Sequence, residues 1–251
     1  MKIRITNVCS IVLEFGIFIW NLFYYQTFKL NILNNKAFIF DLNGTMIDDM
    51  EFHVKAWSGV LNDDLQANLS EAAVRKEMYG KNDEVLDRIF GKMKFSKATM
   101  DILSMEKETR YQQAYKPHLK LINGLDAFLK RAQSMKIKLA IGSAAIPFNI
   151  NFVLDGLKLH HYFPVVVSAD DVKISKPNPE TFLQCAEKLG VNKKDCIVFE
   201  DAPKGVEAAL NAGMKCVVIT SMHPEKEFKQ YKNVLFYIKD YTDLGLNDLF
   251  K

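Results

Sequence analysis

Short apolar runs alternate with helix-patterned stretches along most of this chain. Ala37-Phe38-Ile39-Phe40 is apolar, rich in β-formers and too short for a helix, so it reads as a buried parallel strand. It stops abruptly at Asp41, and Leu42-Asn43-Gly44-Thr45 follow as a turn. Over 51–116 the apolar positions recur at helical spacing with no strand-like alternation. Asp48, Asp49 and Glu51 crowd the start of the first helix, where the dipole prefers acids. Ser70 is a plausible N-cap, Gly80 breaks the pattern, and helices resume over 83–90 and, as a longer amphipathic run, over 99–115. From Pro117 a new rhythm begins. Strands are expected over 137–143, 163–168, 196–201, 215–220 and, at an edge, 235–238. Helices are expected over 124–134, 148–157, 179–189 and 206–211, with a weak one over 244–250.

Strands alternating with helices imply a parallel sheet covered on both faces. The expected fold is therefore α/β, a Rossmann-like parallel core with an inserted α-helical cap. Residues 36–50 and 117–251 would form the core, and 51–116 the cap. Residues 1–35 stand apart: 11–25 are strongly apolar behind Lys2 and Arg4. A signal peptide or anchor can look like this. Against it, Glu14 and Asn21 interrupt the run, no small-residue cleavage site follows, and the apolar length falls short of a span. The mix of Phe, Ile, Asn, Leu, Tyr and Lys is that of AT-rich DNA read from an early start. The segment is expected to be a disordered or mis-started extension; an anchor, or a helix docked on the body, is the alternative.

With 251 residues and 49% hydrophobic content, the chain can bury one large or two small cores. A net charge of +3 is too mild to argue for nucleic acid. Cys9, Cys185, Cys196 and Cys216 lack metal-like spacing and read as buried free thiols, in keeping with a cytoplasmic monomer.

In open α/β sheets ligands bind beyond the carboxyl ends of the strands. Asp41, Ser143 and the pair Glu200-Asp201 all end strands, and Lys176 sits in the loop Ser175-Lys176-Pro177-Asn178-Pro179. Singly, each has a bland reading: a turn serine, a solvated lysine, acids capping a helix. Their order and spacing together are much harder to obtain by accident.

Asp41-Leu42-Asn43-Gly44-Thr45 resembles the DxDGT signature of the haloacid dehalogenase superfamily of phosphatases and phosphomutases. Ser143, Lys176 and Glu200-Asp201 match its second, third and fourth motifs, so the likeness runs from Lys36 to about Thr220. It implies that Asp41 is a nucleophile forming an aspartyl-phosphate. It implies Mg²⁺ held by Asp41, Asp201, Glu200 and the main-chain carbonyl of Asn43. Ser143 and Lys176 would hold the transferring oxygens, with backbone groups at Gly44, Thr45 and Ala144. His53, in Phe52-His53-Val54-Lys55-Ala56-Trp57, is similar to the histidine of the β-phosphoglucomutase branch, which implies a small phosphorylated sugar or polyol as substrate. Trp57 is either a substrate platform or cap core, His53 a substrate group or a packing residue, and Lys81 a candidate grip for a distal phosphate.

One letter departs from the signature: Asn43 stands where the family has a second Asp, which serves as its acid and base. An amide can do neither job, and general acid–base help is worth ~10²–10⁴-fold. Four readings follow. The chain could be a slower sugar-phosphate phosphatase or mutase with a substitute acid such as His53. It could act on phosphates with good leaving groups. It could be a sugar-phosphate-binding protein. Finally, Asn43-Gly44 could deamidate to restore the acid.

Overall fold

A computed structural model describes residues 36–251. The apolar stretch over 11–25, Cys9 and the expectations attached to the first 35 residues lie outside the described residues. The chain opens with strand β1 (Ala37–Phe40), then α1 (Met50–Ser58), α2 (Glu71–Glu77), α3 (Asn82–Phe90) and α4 (Lys97–Tyr115). It continues with α5 (Leu125–Ser134), β2 (Lys138–Gly142), α6 (Pro147–Leu157), β3 (Val165–Val167) and α7 (Glu180–Leu189). Last come β4 (Cys196–Glu200), α8 (Pro203–Ala212), β5 (Lys215–Ile219) and β6 (Val234–Ile238). The six strands form one parallel sheet in the order β3-β2-β1-β4-β5-β6. This is the expected α/β architecture.

Alternation within β1 explains why its residues are all buried yet serve two layers. Phe38 and Phe40 pack with Phe128, Phe199 and Tyr241 on one face of the sheet; Phe40 and Phe199 stack with ring centroids 4.6 Å apart. Ala37 and Ile39 face the other layer, with Phe182, Val198, Val206 and Cys216. The order also places β1 between β2 and β4, so the chain leaves β1 in one direction and later returns on its other side. That reversal opens a crevice at the carboxyl ends of β1 and β4, where ligands bind in such sheets.

The helices α1–α4 cover that crevice and have a core of their own, built on Val54, Trp57, Leu61, Val74, Val85 and Leu86. Ser70 caps α2 by accepting from the Ala73 N–H. Three details depart from the sequence pattern. The chain after α1 widens into a π-helical turn, Gly59–Asp64. The amphipathic run of α4 is inverted near its middle: Ile102 and Met105 are exposed, while Lys107 and Glu108 are buried. Residues Leu244–Phe250 wind as a 3₁₀ rather than an α-helix. Cys185, Cys196 and Cys216 are buried free thiols. Among the described residues no helix is long and apolar enough to cross a membrane.

Candidate active site

The crevice gathers the polar groups that end β1, β2 and β4. Lys176 sits at its centre and donates from Nζ to Asp41 Oδ1 at 2.7 Å and to Glu200 Oε1 at 2.8 Å. The second oxygen of Glu200 accepts from the backbone N–H groups of Asp201 and Ala202, both at 2.9 Å. With both oxygens engaged, Glu200 holds the lysine and the entry to α8. Asp201 accepts from the Thr45 hydroxyl at 3.1 Å. Ser143 Oγ accepts from the Ala145 N–H at 3.2 Å. The turn after β1 is pinned from behind: Ser221 donates to the Gly44 carbonyl at 2.8 Å, and Tyr241 to the Thr45 carbonyl at 3.0 Å.

Two glycines make this packing possible. Gly44 has φ +72°, and a Cβ there would lie 2.1 Å from Asp201 Oδ2. A Cβ on Gly205, in the first turn of α8, would lie 1.7 Å from Glu200 Oε1. Gly205→Ala should therefore push Glu200 off Lys176, destabilise the fold by about 1–3 kcal/mol and slow turnover. A thermal melt beside a rate measurement checks both.

The electrostatics show what the site lacks. Asp41 is pushed up to about 7, chiefly by burial and further by Glu200, although Lys176 opposes this. Asp201 is raised well above the ordinary carboxylate range by burial, Glu200 and Asp41. Burial works against the Lys176 charge, but Asp41 and Glu200 hold its ammonium above the usual lysine range. Three buried carboxylates thus face one ammonium, which bridges only Asp41 and Glu200, and like charges in a dry site favour protonation unless a cation joins them. Among the described residues no three His, Cys, Asp or Glu side chains form a ready metal cluster. The donors on offer are the carboxylates of Asp41 and Asp201 and the nearby main chain. Hard oxygen donors with two uncompensated negative charges suit a divalent cation such as Mg²⁺.

The wall facing the helices is organised by Asp49, a fully buried carboxylate. Its Oδ1 accepts from the Gly44 N–H at 3.2 Å. Its Oδ2 accepts from Asn43 Nδ2 at 2.6 Å and from the Tyr111 hydroxyl at 2.5 Å, and lies 3.3 Å from His53 Nε2. Lys107 Nζ donates to His53 Nδ1 at 2.8 Å. A charged Lys107 makes Nδ1 the acceptor and puts the ring proton on Nε2, which lies 3.0 Å from Asn43 Nδ2 and 3.3 Å from Asp49 Oδ2. His53 also stacks on Tyr111, with centroids 3.8 Å apart. The Asn43 amide and the Gly44 nitrogen, the two groups that deamidation would join, are thus both bound to Asp49.

A cavity of about 180 Å³ lies between this wall and the strand ends. Asp41, Asn43, His53, Trp57, Ser143, Ala144, Lys176, Glu200 and Asp201 all line it. Gly44 and Thr45 lie behind it in the turn. Lys81 is not in its wall: the ammonium donates at 2.6 Å to the Val172 carbonyl, tying α3 to the loop after β3. Asp49, Tyr111, Asn82, Lys107, Glu108 and Asn149 are site residues that sequence pattern did not single out. Trp57 belongs to the helical core and also lines the cavity, with Lys107 Nζ 5.3 Å from its ring centre.

Comparison with known proteins identifies the family and the fold. A family model for haloacid dehalogenase-like hydrolases matches residues 38–219. The fructose-1-phosphate phosphatase YqaB of Escherichia coli is 33% identical over 187 residues, covering 71% of this chain and 93% of that protein. Among solved structures, a family IA haloacid dehalogenase hydrolase from Entamoeba histolytica aligns with a TM-score of 0.76 at 26% identity, covering 86% of this chain and 99% of that one. A β-phosphoglucomutase from Clostridium difficile aligns with a TM-score of 0.74 at 26% identity, covering 86% of this chain and 96% of that one.

Proposed function

Because the chain belongs to the haloacid dehalogenase-like hydrolases, we propose that it moves the phosphoryl group of a small phosphorylated sugar or polyol onto Asp41, and from there to water. The observation that carries this reading is the buried trio Asp41, Glu200 and Asp201 around Lys176, open to a cavity at the switch point of the sheet. Similar enzymes, among them a fructose-1-phosphate phosphatase, a phosphorylated carbohydrates phosphatase and a β-phosphoglucomutase, support the substrate class.

In the first step an Asp41 oxygen attacks phosphorus, and the bond from phosphorus to the ester oxygen breaks. Lys176 and Ser143 hold the non-bridging oxygens as charge redistributes. Mg²⁺, held by Asp41, Asp201 and the Asn43 carbonyl, would offset the repulsion between carboxylate and phosphate. Water then attacks the aspartyl-phosphate and frees Asp41. Asn43 cannot shuttle the protons of either step. The Nε2 of His53, the substitute acid considered from sequence, faces the Asn43 amide at 3.0 Å and Asp49 at 3.3 Å. Alkyl phosphates should therefore turn over slowly, because their leaving oxygen needs a proton, while aryl or acyl phosphates should suffer less.

Phosphate release from a panel of sugar phosphates and p-nitrophenyl phosphate, with and without Mg²⁺, tests this reading. Turnover abolished by Asp41→Ala supports it. Substrates that raise the melting temperature yet never turn over would instead favour a sugar-phosphate-binding protein. The Asn43–Asp49 contact is the observation behind that second reading, since it leaves no free acid at position 43.

Metal removal should have a pH-dependent signature. A carboxyl whose folded pKa is raised contributes stability that is present at low pH and lost as pH rises through the folded value. For Asp41 that loss runs from about pH 4 to the folded value of about 7. Without metal, stability should decline across this window, and Mg²⁺ should raise the melting temperature much more at pH 8 than at pH 5. An equal Mg²⁺ effect at both values would count against Asp41 and Asp201 as the ligands.

A further inference from the structure

The wall opposite Lys176 carries a second buried carboxylate that the chemistry above does not use. Glu108, on α4, is 3% exposed and lines the cavity. Its Oε1 accepts from Asn82 Nδ2 at 2.8 Å, and its Oε2 from Lys107 Nζ at 2.9 Å and Asn149 Nδ2 at 2.6 Å. Burial works against its charge, yet Lys107 and the hydrogen bonds from Asn82 and Asn149 hold it down to about 2, which favours the carboxylate, while burial pulls Lys107 itself below the usual lysine range. A carboxylate has about four lone-pair positions, and three are filled.

Each cation around the cavity has a neighbour, the buried ones firmly and the outer ones loosely. Lys107 is neutralised by Glu108 at 2.9 Å and Lys176 by Asp41 and Glu200. Arg75 pairs with Glu51 and, at 2.8 Å, with Glu71, and Lys204 pairs with Glu207 at 3.3 Å. Lys81 is bound to the Val172 carbonyl. Among the described residues, no lysine or arginine in the cavity wall lacks a carboxylate partner. The buried end remote from Lys176 therefore offers amide and carboxylate groups, which suit hydroxyls, and its one buried ammonium, Lys107, is already held by Glu108; the cations left are the half-buried Arg75 and the exposed Lys204 at the rim.

We propose that Glu108 is a specificity-determining residue: it accepts a hydroxyl of a polyhydroxylated monophosphate on its remaining lone pair and excludes a second phosphate by its charge. This rests on the phosphoryl-transfer reading and decides within it for a monophosphate phosphatase over a mutase that must admit a bisphosphate.

The test compares fructose 1-phosphate with fructose 1,6-bisphosphate, using the full chain with Mg²⁺. Wild type should favour the monophosphate by about tenfold or more in kcat/KM, the scale of one buried like-charge contact. Glu108→Gln keeps the shape and removes the charge. It should raise KM for the monophosphate and lower KM for the bisphosphate, shifts of opposite sign that a merely structural role would not produce. Equal use of both substrates by wild type, or parallel KM shifts in Glu108→Gln, would overturn the proposal. If Glu108→Gln does not fold, the wild-type preference alone decides. Calorimetric titration of Asp41→Ala with the same two ligands separates the two readings. Absence of turnover on every substrate defeats phosphoryl transfer, whereas bisphosphate binding as tight as monophosphate binding defeats the role of Glu108.

Discussion

Phosphate release from a sugar monophosphate should fall by about 10⁴-fold or more when Asp41 becomes Asn, because the group that forms the new bond to phosphorus is gone. The same change should leave stability intact or improve it at pH 8. Asp41 is buried beside Glu200 and Asp201, and its own pKa of about 7 says that ionising it there is costly. An amide of the same shape removes that cost while still filling the space. It loses the charge-assisted bond from Lys176 at 2.7 Å, but Lys176 keeps Glu200 at 2.8 Å. A dead enzyme with an unchanged or higher melting temperature is thus expected. A dead enzyme that has also lost several degrees would mean that Asp41 acts as a structural partner of Lys176. Circular dichroism melts run beside the assay separate the two.

The second large effect concerns Asn43 and Asp49. Asn43→Asp alone puts two carboxylates where an amide now donates to Asp49 Oδ2 at 2.6 Å. Two carboxylates that close cannot both ionise freely, so the new acid would be tied up with Asp49. The exchange Asn43→Asp with Asp49→Asn keeps one amide and one carboxylate in contact and moves the carboxylate to the strand-end turn. The amide oxygen that Asp49→Asn introduces can still accept from the Gly44 N–H, and the Tyr111 hydroxyl can turn to accept from the new amide nitrogen. Turnover of an alkyl phosphate should rise ~10²–10⁴-fold over wild type in the double variant, the usual worth of general acid–base help. The single variant should gain less. Hydrolysis of p-nitrophenyl phosphate should rise less, since its leaving group needs no proton and only the water attack on the aspartyl-phosphate gains a base. A single variant as fast as the double would show that Asp49 does not restrain position 43.

The strands and most helices were legible because their patterns are local. Ala37-Phe38-Ile39-Phe40 ends in a carboxylate, Cys196-Ile197-Val198-Phe199 ends in Glu200, and nothing distant is needed to read either. The helical cap side of the site was far less legible. Asp49 looked like one of several acids at a helix start, and only the fold sets it among the Asn43 amide, the Gly44 N–H and the Tyr111 hydroxyl. Lys107 and Glu108 sit in Met105-Glu106-Lys107-Glu108-Thr109-Arg110, which reads as a solvated helix face. They are buried because His53, Asn82 and Asn149, each from another helix, supply their partners. Lys81 lies in Tyr79-Gly80-Lys81-Asn82, where caps of the resembled branch carry a substrate loop, and the fold ties its ammonium to the Val172 carbonyl at 2.6 Å, a contact no local pattern announces.

An Asp41 that carries the phosphoryl group must pass through an aspartyl-phosphate that can be trapped. Wild-type protein with Mg²⁺ and fructose 1-phosphate would be acid-quenched within the first turnover, digested and measured by mass spectrometry. A phosphoryl adduct on the peptide that contains Asp41, absent without Mg²⁺ and absent in Asp41→Asn, is the predicted result. Phosphate released at the same rate with no adduct at any quench time, or an adduct on another residue, would contradict it.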